Sequence, residues 1–270
     1  MLEITTLSKT FYPNTINEVR ALKNVSLSIG NGCFTAIIGT NGSGKSTLLN
    51  AIAGTFFPDQ GRITLEGQDI TRWPEYKRAS IIGRVFQNPF AGTAATMSIA
   101  ENIVMAMHRG QSRSLRLAVT RHVRDEIADR VKGLKMGLED RLNNPIGTLS
   151  GGQRQALTLL MATWVKPKLL LLDEHTAALD PKSAAKVTEL TKQIIQQEQL
   201  SAIMVTHSMQ QAVDLPDRII MMHRGEIVED YRDEMKGRVR VPDLMHVFDR
   251  VQKKELFDQS AAEMLLPQYC

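Results

Sequence analysis

The sequence predicts an α/β fold with a mostly parallel central sheet, and three observations support this. Short apolar runs typical of buried strands recur along the chain, helical stretches separate several of them, and a glycine-rich turn links the first run to a helix. Parallel strands need crossover connections, which are usually helices, so this alternation favours a parallel sheet. The predicted strands span residues 35–39, 61–65, 169–172, 202–205 and 218–222, and the clearest helices among them span 46–53 and 184–197.

The middle of the chain departs from this alternation. From about residue 89 to residue 165 the sequence is mostly typical of helix, with a charged amphipathic stretch at 125–138 and a second helix at 152–165. We therefore expect a helical subdomain inserted into the α/β core. The predicted organisation is one domain over residues 1–228, followed by a helical tail over residues 229–270.

The predicted tail contains one amphipathic helix. Apolar residues recur there at the i, i+3, i+4, i+7 spacing of a single helix face, and Pro242 suits the first turn. The residues on this face are Leu244, Val247, Phe248 and Val251. We expect the helix to pack on the core of its own chain.

Composition narrows the functional classes. The 270 residues carry a net charge of +4, and the basic residues are interspersed with acidic ones. A nucleic-acid-binding protein usually gathers its basic charge in one stripe or tail, so no nucleic-acid partner is expected. No apolar run approaches the roughly 20 residues of a membrane span, and the N-terminus lacks a signal-peptide core. The two cysteines, Cys33 and Cys270, lie far apart, which indicates no disulfide framework and favours the cytoplasm.

A phosphate-binding loop follows the first apolar run. Residues 39–46 read G-T-N-G-S-G-K-S, which matches G-x-x-x-x-G-K-[ST] between a predicted strand and a predicted helix. Glycines let successive backbone N–H groups point at a phosphate, and the helix N-terminus adds partial positive charge. Lys45 is expected to reach the terminal phosphates and Ser46 to ligate Mg²⁺. The candidate nucleotide-binding residues here are Gly39, Thr40, Asn41, Gly42, Ser43, Gly44, Lys45, Ser46 and Thr47.

Two acids end the apolar strand at residues 169–172. In phosphate-loop proteins an Asp at this point holds the Mg²⁺ shell, which is the role expected of Asp173. The side chain of Glu174 points elsewhere, toward the position of an attacking water. Glu174 is therefore the candidate general base.

Three further features decide the family. The stretch L-S-G-G-Q at 149–153 opens a predicted helix, His207 follows the strand at 202–205, and Gln87 lies within V-F-Q-N-P. With the phosphate loop and the acidic strand end, these motifs resemble the ATP-binding-cassette (ABC) ATPases, in that family's order. The resemblance covers roughly residues 2–228. It implies a P-loop NTPase (RecA-like) core, an antiparallel β-subdomain and an inserted helical subdomain.

The resemblance also implies roles for individual residues. Phe11, with Tyr12 as the alternative, matches the aromatic residue that stacks on adenine, and Gln87 matches the glutamine that contacts Mg²⁺ and the catalytic water. His207 matches the histidine that contacts the γ-phosphate. The signature residues, which contact nucleotide held by a second protomer, are matched by Ser150, Gly151, Gly152 and Gln153, and Asp180 matches the loop crossing that interface. The expected assembly is a head-to-tail homodimer around two ATP.

The resemblance further implies a membrane partner. The stretches D-E-H-T-A-A-L-D at 173–180 and R-A-S-I-I-G-R-V-F-Q-N-P at 78–89 resemble the ATPase subunits of prokaryotic amino-acid-type importers. In those systems a permease resembling branched-chain amino-acid permeases works with an extracytoplasmic solute-binding protein. We expect the permease to dock near Gln87 and the segment from Asn88 to Asn102, holding the chain at the inner face of the cell membrane. The segment's apolar residues could instead pack within their own subdomain. A soluble assembly ATPase, of the iron–sulfur scaffold or phosphonate-lyase type, is the alternative function.

His175 departs from the family pattern, in which proline usually follows the glutamate. Proline fixes φ and removes the backbone N–H, whereas histidine leaves φ free and keeps the N–H as a donor. A titrating role beside the γ-phosphate is one interpretation. The favoured interpretation is a tolerated variant, because His207 already matches the family's histidine.

Overall fold

A computed structural model describes residues 1–111 and 120–251, and its centre is a six-stranded sheet. The order is β10-β9-β3-β8-β7-β6, with all neighbours parallel except the antiparallel edge pair β9–β10. The strands are β3 (Phe34–Gly39), β6 (Ile82–Val85), β7 (Leu169–Asp173), β8 (Ala202–Val205), β9 (Arg218–His223) and β10 (Glu226–Tyr231). Since parallel strands carry their side-chain chemistry at their carboxyl ends, the phosphate loop after β3 and the acids after β7 share one edge of the sheet.

A second sheet of four antiparallel strands lies beside the first, in the order β2-β1-β4-β5. Its strands are β1 (Leu2–Phe11), β2 (Val19–Ile29), β4 (Gln60–Leu65) and β5 (Gln68–Asp69). This sheet confirms the expected antiparallel subdomain. The segments of β1 and β2 gave no strand prediction, because register shifts in their pairing break the alternation of apolar and polar residues. One of these shifts includes Thr6, where φ is 47°.

The helices connect and cover these sheets. They are α1 (Lys45–Ala53), α2 (Glu75–Arg78), α3 (Ile99–Met107), α4 (Arg121–Lys132), α5 (Gly151–Thr163), α6 (Pro181–Glu198), α7 (Met209–Asp214), α8 (Asp233–Arg238) and α9 (241–251). α1 packs against β2, β3 and β7, whereas α5 packs against α6 and β6. The predicted α/β fold with a mostly parallel sheet is confirmed.

The middle of the chain holds less helix than predicted. The stretch predicted as helix over 125–138 is α4, which begins at Arg121 and ends at Lys132, after which the chain forms turns. Residues 86–98 form an irregular segment before α3. The helix was predicted too long because Leu134 and Leu138 continue the apolar spacing. Both are buried, but they lie in turns after the helix has ended. Residues 112–119 of the predicted helical subdomain lie outside the described residues.

The predicted tail helix is α9. Leu244 is fully buried, and Val247 and Phe248 pack against the main core cluster, as expected for a helix held by its own chain. β10 extends to Tyr231, three residues past the predicted boundary at 228. Residues 252–270 of the predicted tail lie outside the described part of the chain.

Candidate nucleotide-binding site

The phosphate loop connects β3 to α1 by a tight backbone path. A Cβ on Gly39 would lie 2.2 Å from the carbonyl oxygen of Met222, so no side chain fits there. The loop closes through Ser43 N–H, which donates to Thr40 O at 3.2 Å, and is held to the β9–β10 turn by Gly225 N–H donating to Ser43 O at 3.0 Å. The residues after Gly39 are therefore held in one curl at the N-terminus of α1, where backbone N–H groups lack helical acceptors.

Lys45 places its ammonium group inside this curl. Nζ donates to Gly39 O at 2.9 Å and Thr40 O at 2.8 Å, and the residue is 5% exposed. Burial lowers the pKa of Lys45, and the carboxylates of Glu174 and Asp173 oppose this effect. The cation thus lies near both acids at the sheet edge, where phosphate oxygens would replace its carbonyl acceptors.

Asp173 ends β7 beside two cations. Its carboxylate is 15% exposed, and Arg84 Nη2 lies 3.6 Å from Oδ2. Burial raises the pKa of Asp173, while Arg84 and Lys45 oppose the rise. Ser46, another predicted Mg²⁺ ligand, is exposed in the first turn of α1.

The carboxylate of Glu174 is held between two other predicted catalytic residues. Gln87 Nε2 donates to Oε2 at 2.9 Å, and His207 Nε2 lies 2.5 Å from Oε1. Glu174 has φ 44°, a left-handed conformation that costs a non-glycine residue on the order of 1–3 kcal/mol. Its backbone N–H donates to Val205 O at 3.0 Å, which fixes this conformation. The structure therefore brings Glu174, Gln87 and His207 together, and their catalytic roles stay predictions.

His175 points away from this cluster. It is 2% exposed, and Nε2 lies 3.0 Å from Thr191 Oγ1 on α6. Because the Thr191 hydroxyl donates to Val187 O, the imidazole Nε2–H is the donor to Thr191. Burial lowers the pKa of His175 to about 4, so the ring is neutral near pH 7. These contacts support the interpretation of His175 as a structural variant.

The signature residues start α5 and pack on the start of α6. Ser150 caps α5 in a reciprocal pair with Gln153, in which each side chain accepts the other residue's backbone N–H at 3.3 Å. A Cβ on Gly152 would lie 2.5 Å from Ser183 Cβ, so only glycine allows this approach. Asp180 caps α6 by accepting from Ser183 N–H at 3.0 Å, and this bonding lowers its pKa. The signature and Asp180 are thus one rigid unit.

Phe11 lies near the phosphate loop through β2. Phe11 pairs with Val19 of β2. Two residues further along β2, the carbonyl oxygen of Ala21 approaches the loop so closely that it would lie 2.5 Å from a Cβ on Gly44. Two strand residues span about 6.6 Å, so the backbone of Phe11 lies on the order of 10 Å from the loop. Its ring packs edge-on against Phe56 with centroids 5.3 Å apart, whereas Tyr12 is 69% exposed.

The oxygen ligands at this site suit a magnesium nucleotide. Within residues 1–111 and 120–251, no group of three or more His, Cys, Asp and Glu side chains is arranged to hold a metal ion. Mg²⁺ usually takes one or two protein oxygens and completes its shell with phosphates and water. The Ser46 hydroxyl and the Asp173 carboxylate fit that pattern, beside a loop too tight for side chains at Gly39.

Comparisons with known proteins decide the family. The sequence model described as ABC transporter matches residues 22–177. The chain belongs to the ABC transporter family. It is 42% identical over 250 residues to the tyrosine transport ATP-binding protein of Clostridioides difficile, covering 92% of this chain and 99% of that protein. It is 35% identical over 240 residues to the methionine import ATP-binding protein MetN of Cupriavidus metallidurans, covering 86% of this chain and 65% of that protein.

Solved ABC structures agree with the fold. The cassette MJ0796, a dimer in a post-hydrolysis state bound to ADP and Pi, gives a TM-score of 0.73 at 27% identity, covering 86% of this chain and 98% of that one. The ADP form of the cassette MJ1267 also gives 0.73 at 27% identity, covering 88% of this chain and 94% of that one. This ABC subunit is accordingly an ATPase that binds ATP. None of its described helices is long and apolar enough to cross a membrane.

Sequence reasoning missed one residue of this ABC site. Arg84 lies in the stretch at 78–89 but had no predicted role. Its contact with Asp173 depends on the parallel pairing of β6 with β7, which places Arg84 opposite Leu171. The only available signal was a charged residue within an otherwise apolar stretch, I-I-G-R-V-F, directly before Gln87.

Proposed function

We propose that this chain powers import of an amino acid or related small solute, as a head-to-tail homodimer coupled to a membrane permease. The observation that carries the proposal is the Glu174 carboxylate, held by Gln87 and His207 at the sheet edge that carries Lys45. The name of the Clostridioides difficile relative, a tyrosine transport protein matched over nearly its whole length, supports the solute class.

In the proposed reaction the chain binds, orients and polarises. The curl after Gly39 and the ammonium of Lys45 bind the phosphates, and Phe11 stacks on adenine. Ser46, Asp173 and Gln87 would hold Mg²⁺, which would supply neutralisation of the charge developing on the phosphates. Glu174 accepts a proton from the attacking water as the water oxygen adds in line to the γ-phosphorus. The bond from that phosphorus to the β–γ bridging oxygen breaks, ADP leaves with the oxygen, and inorganic phosphate is formed. His207 donates a hydrogen bond near the γ-phosphate and holds the Glu174 carboxylate in place.

The proposed dimer follows from two anion sites on separate elements. The phosphate loop begins α1, and the signature begins α5, which packs on α6 and β6 instead of α1. Ser150 and the free N–H groups at the start of α5 can therefore face the γ-phosphate of a second protomer. The dimeric state of the MJ0796 cassette supports this arrangement.

A groove beside Gln87 supports the proposed permease contact. It has a volume of about 230 Å³ and lies between the sheet core, at Ile82 and Arg84, and the helical region, at Ala106 and Met161. Three large exposed side chains lie within two residues of groove residues in the sequence: Tyr76, exposed by 80%, Phe90 by 59% and Met105 by 47%. Apolar walls with exposed aromatic neighbours suit an amphipathic helix of the permease.

The groove refines the predicted docking segment. Within this segment, residues 94–98 are held to their own subdomain by Asn102. The buried Asn102 side chain forms hydrogen bonds with backbone groups of Ala94, Met97 and Ser98. Gly92 lines the groove. Phe90, two residues earlier, is exposed on one face, while its ring packs against the Arg154 guanidinium at 4.2 Å. We therefore place the permease contact at the groove and at Phe90, with the solute-binding protein acting on the outer face of the permease.

Solute uptake tests this proposal. Deleting the gene should abolish uptake of labelled tyrosine or of another amino acid in a panel. The wild-type gene should restore uptake and Glu174→Gln should not. Unchanged uptake of every amino acid in the deletion strain would contradict the importer proposal and favour the assembly ATPase.

A further inference from the structure

Arg84 joins the groove to the carboxylate expected to hold Mg²⁺. Its Nη2 donates to Asn50 Oδ1 on α1 at 2.6 Å and lies 3.6 Å from Asp173 Oδ2. One nitrogen therefore spans the phosphate-loop helix and the end of β7. The guanidinium carbon lies 4.6 Å from the ring centroid of Phe86, the residue before Gln87.

The other two guanidinium nitrogens of Arg84 differ. Nη1 donates to Thr55 Oγ1 at 3.3 Å, whereas Nε is buried with no hydrogen-bond partner among the described residues. Arg84 lines the groove, so an acceptor there reaches Nε if the guanidinium turns toward it, and the bond formed removes a cost of about 1–3 kcal/mol. A carboxylate would bind more strongly than a carbonyl, because both groups would be charged.

Asp173 cannot serve Arg84 and a divalent cation equally well. A guanidinium at 3.6 Å competes for the carboxylate oxygen and repels a second cation. An acceptor in the groove that draws the guanidinium toward itself would weaken this competition.

We propose that Arg84 is a positioning residue that holds Asp173 until an acidic side chain of the docked partner helix engages Nε, and that this release tightens Mg²⁺ binding. The inference rests on the proposed permease contact and assigns the partner helix an acidic residue facing Arg84. A partner bound in the groove would thus affect Mg²⁺ binding through Arg84 and Asp173, independently of Gln87.

The test measures metal affinity without hydrolysis. For the full-length chain, the dissociation constant of a non-hydrolysable ATP analogue is measured in EDTA and in saturating Mg²⁺, and the ratio reports how much the metal tightens binding. Arg84→Met should raise this ratio by about three- to tenfold and leave the EDTA value at wild type, a fold-change typical of losing a partly exposed ion pair. Arg84→Lys should restore the wild-type ratio.

Arg109 supplies a matched control. It lines the same groove and also has a buried Nε without a partner in the described structure, but its guanidinium donates to Ala162 O and Val165 O. Arg109→Met should therefore leave the ratio unchanged. An unchanged ratio in Arg84→Met, or an equal rise in both variants, would overturn the role of Arg84.

A second variant tests the groove step. Glu75 already lines the groove, where it accepts from the Thr55 hydroxyl at 3.5 Å. Ala106→Glu adds a second carboxylate on the opposite, helical wall, and it should raise the ratio in the wild-type background but not in Arg84→Met. An equal rise in both backgrounds would show that the added carboxylate attracts Mg²⁺ directly and not through Arg84. No rise in either background would show that a carboxylate in the groove does not release Asp173. Failure of the proposed function looks different, because the deletion strain would then take up every amino acid as the wild type does, whatever the ratio measured for Arg84→Met.

Discussion

His175 offers the clearest test of how burial separates structural from catalytic histidines. We consider His175→Leu, which removes the titrating ring and leaves an apolar side chain in an apolar site. The Thr191 hydroxyl keeps its bond to Val187 O, so no donor is left without an acceptor in the variant. The loss of one neutral hydrogen bond costs about 1 kcal/mol at neutral pH.

The magnitude at lower pH follows from linkage. The pKa of His175 falls from an ordinary value of 6.5 in the unfolded chain to about 4 in the folded one, because burial penalises the charged ring. Between these values the unfolded state binds more protons, so wild-type stability falls as the pH drops below 6.5. At about pH 5 the shift is worth ~2 kcal/mol, at 1.36 kcal/mol per pH unit.

Urea unfolding of both proteins at about pH 7.5 and pH 5 measures this effect. The wild type should lose ~2 kcal/mol more than His175→Leu over that interval, while the pH dependence of the ATPase rate near neutrality should match in the two proteins. Equal loss of stability in both would refute the buried neutral ring. An ionisation near neutrality that disappears from the rate profile of the variant would instead make His175 catalytic.

Three other substitutions test separate parts of the account. Lys45→Ala should weaken ATP binding at least about tenfold by calorimetry, since a charge-assisted contact contributes about 1.5–3 kcal/mol; unchanged affinity would contradict the loop assignment. Gly152→Ala should lower the free energy of unfolding in urea by about 1–3 kcal/mol, because its Cβ would lie 2.5 Å from Ser183 Cβ. Adding Ser183→Gly should restore stability, and a failed rescue would contradict the contact. Arg78→Met should lower the free energy of unfolding in urea by at least ~3 kcal/mol. Its buried guanidinium donates to four backbone carbonyls, those of Ala51, Ile52, Thr71 and Trp73. A loss below about 1 kcal/mol would show that these bonds contribute little to stability.

Local motifs account for what the sequence predicted well. The phosphate loop is contiguous, and its glycines, lysine and flanking elements follow from local chemistry. Glu174, Gln87 and His207 come from three distant segments, and their meeting was predictable only because each matched a family motif. The resemblance, and not spacing, placed them at one site.

Long-range packing explains what the sequence could not show. The burial of His175 depends on α6, which brings Thr191 to its ring. The Arg84–Asp173 contact depends on the neighbouring position of β6 and β7. The strands β1 and β2 escaped detection because bulges break their alternation. In each case the deciding partner lies far away in sequence.

The most direct test of the central claim is the assembly state of Glu174→Gln in ATP. If Glu174 is the general base of an ATP-sandwich dimer, the variant should bind ATP, lose nearly all hydrolysis and appear by light scattering at twice the 30.1 kDa mass of the chain. Lys45→Ala and Glu174→Gln without nucleotide should both stay monomeric. A Glu174→Gln protein that remains monomeric in ATP and hydrolyses it at the wild-type rate would contradict the account.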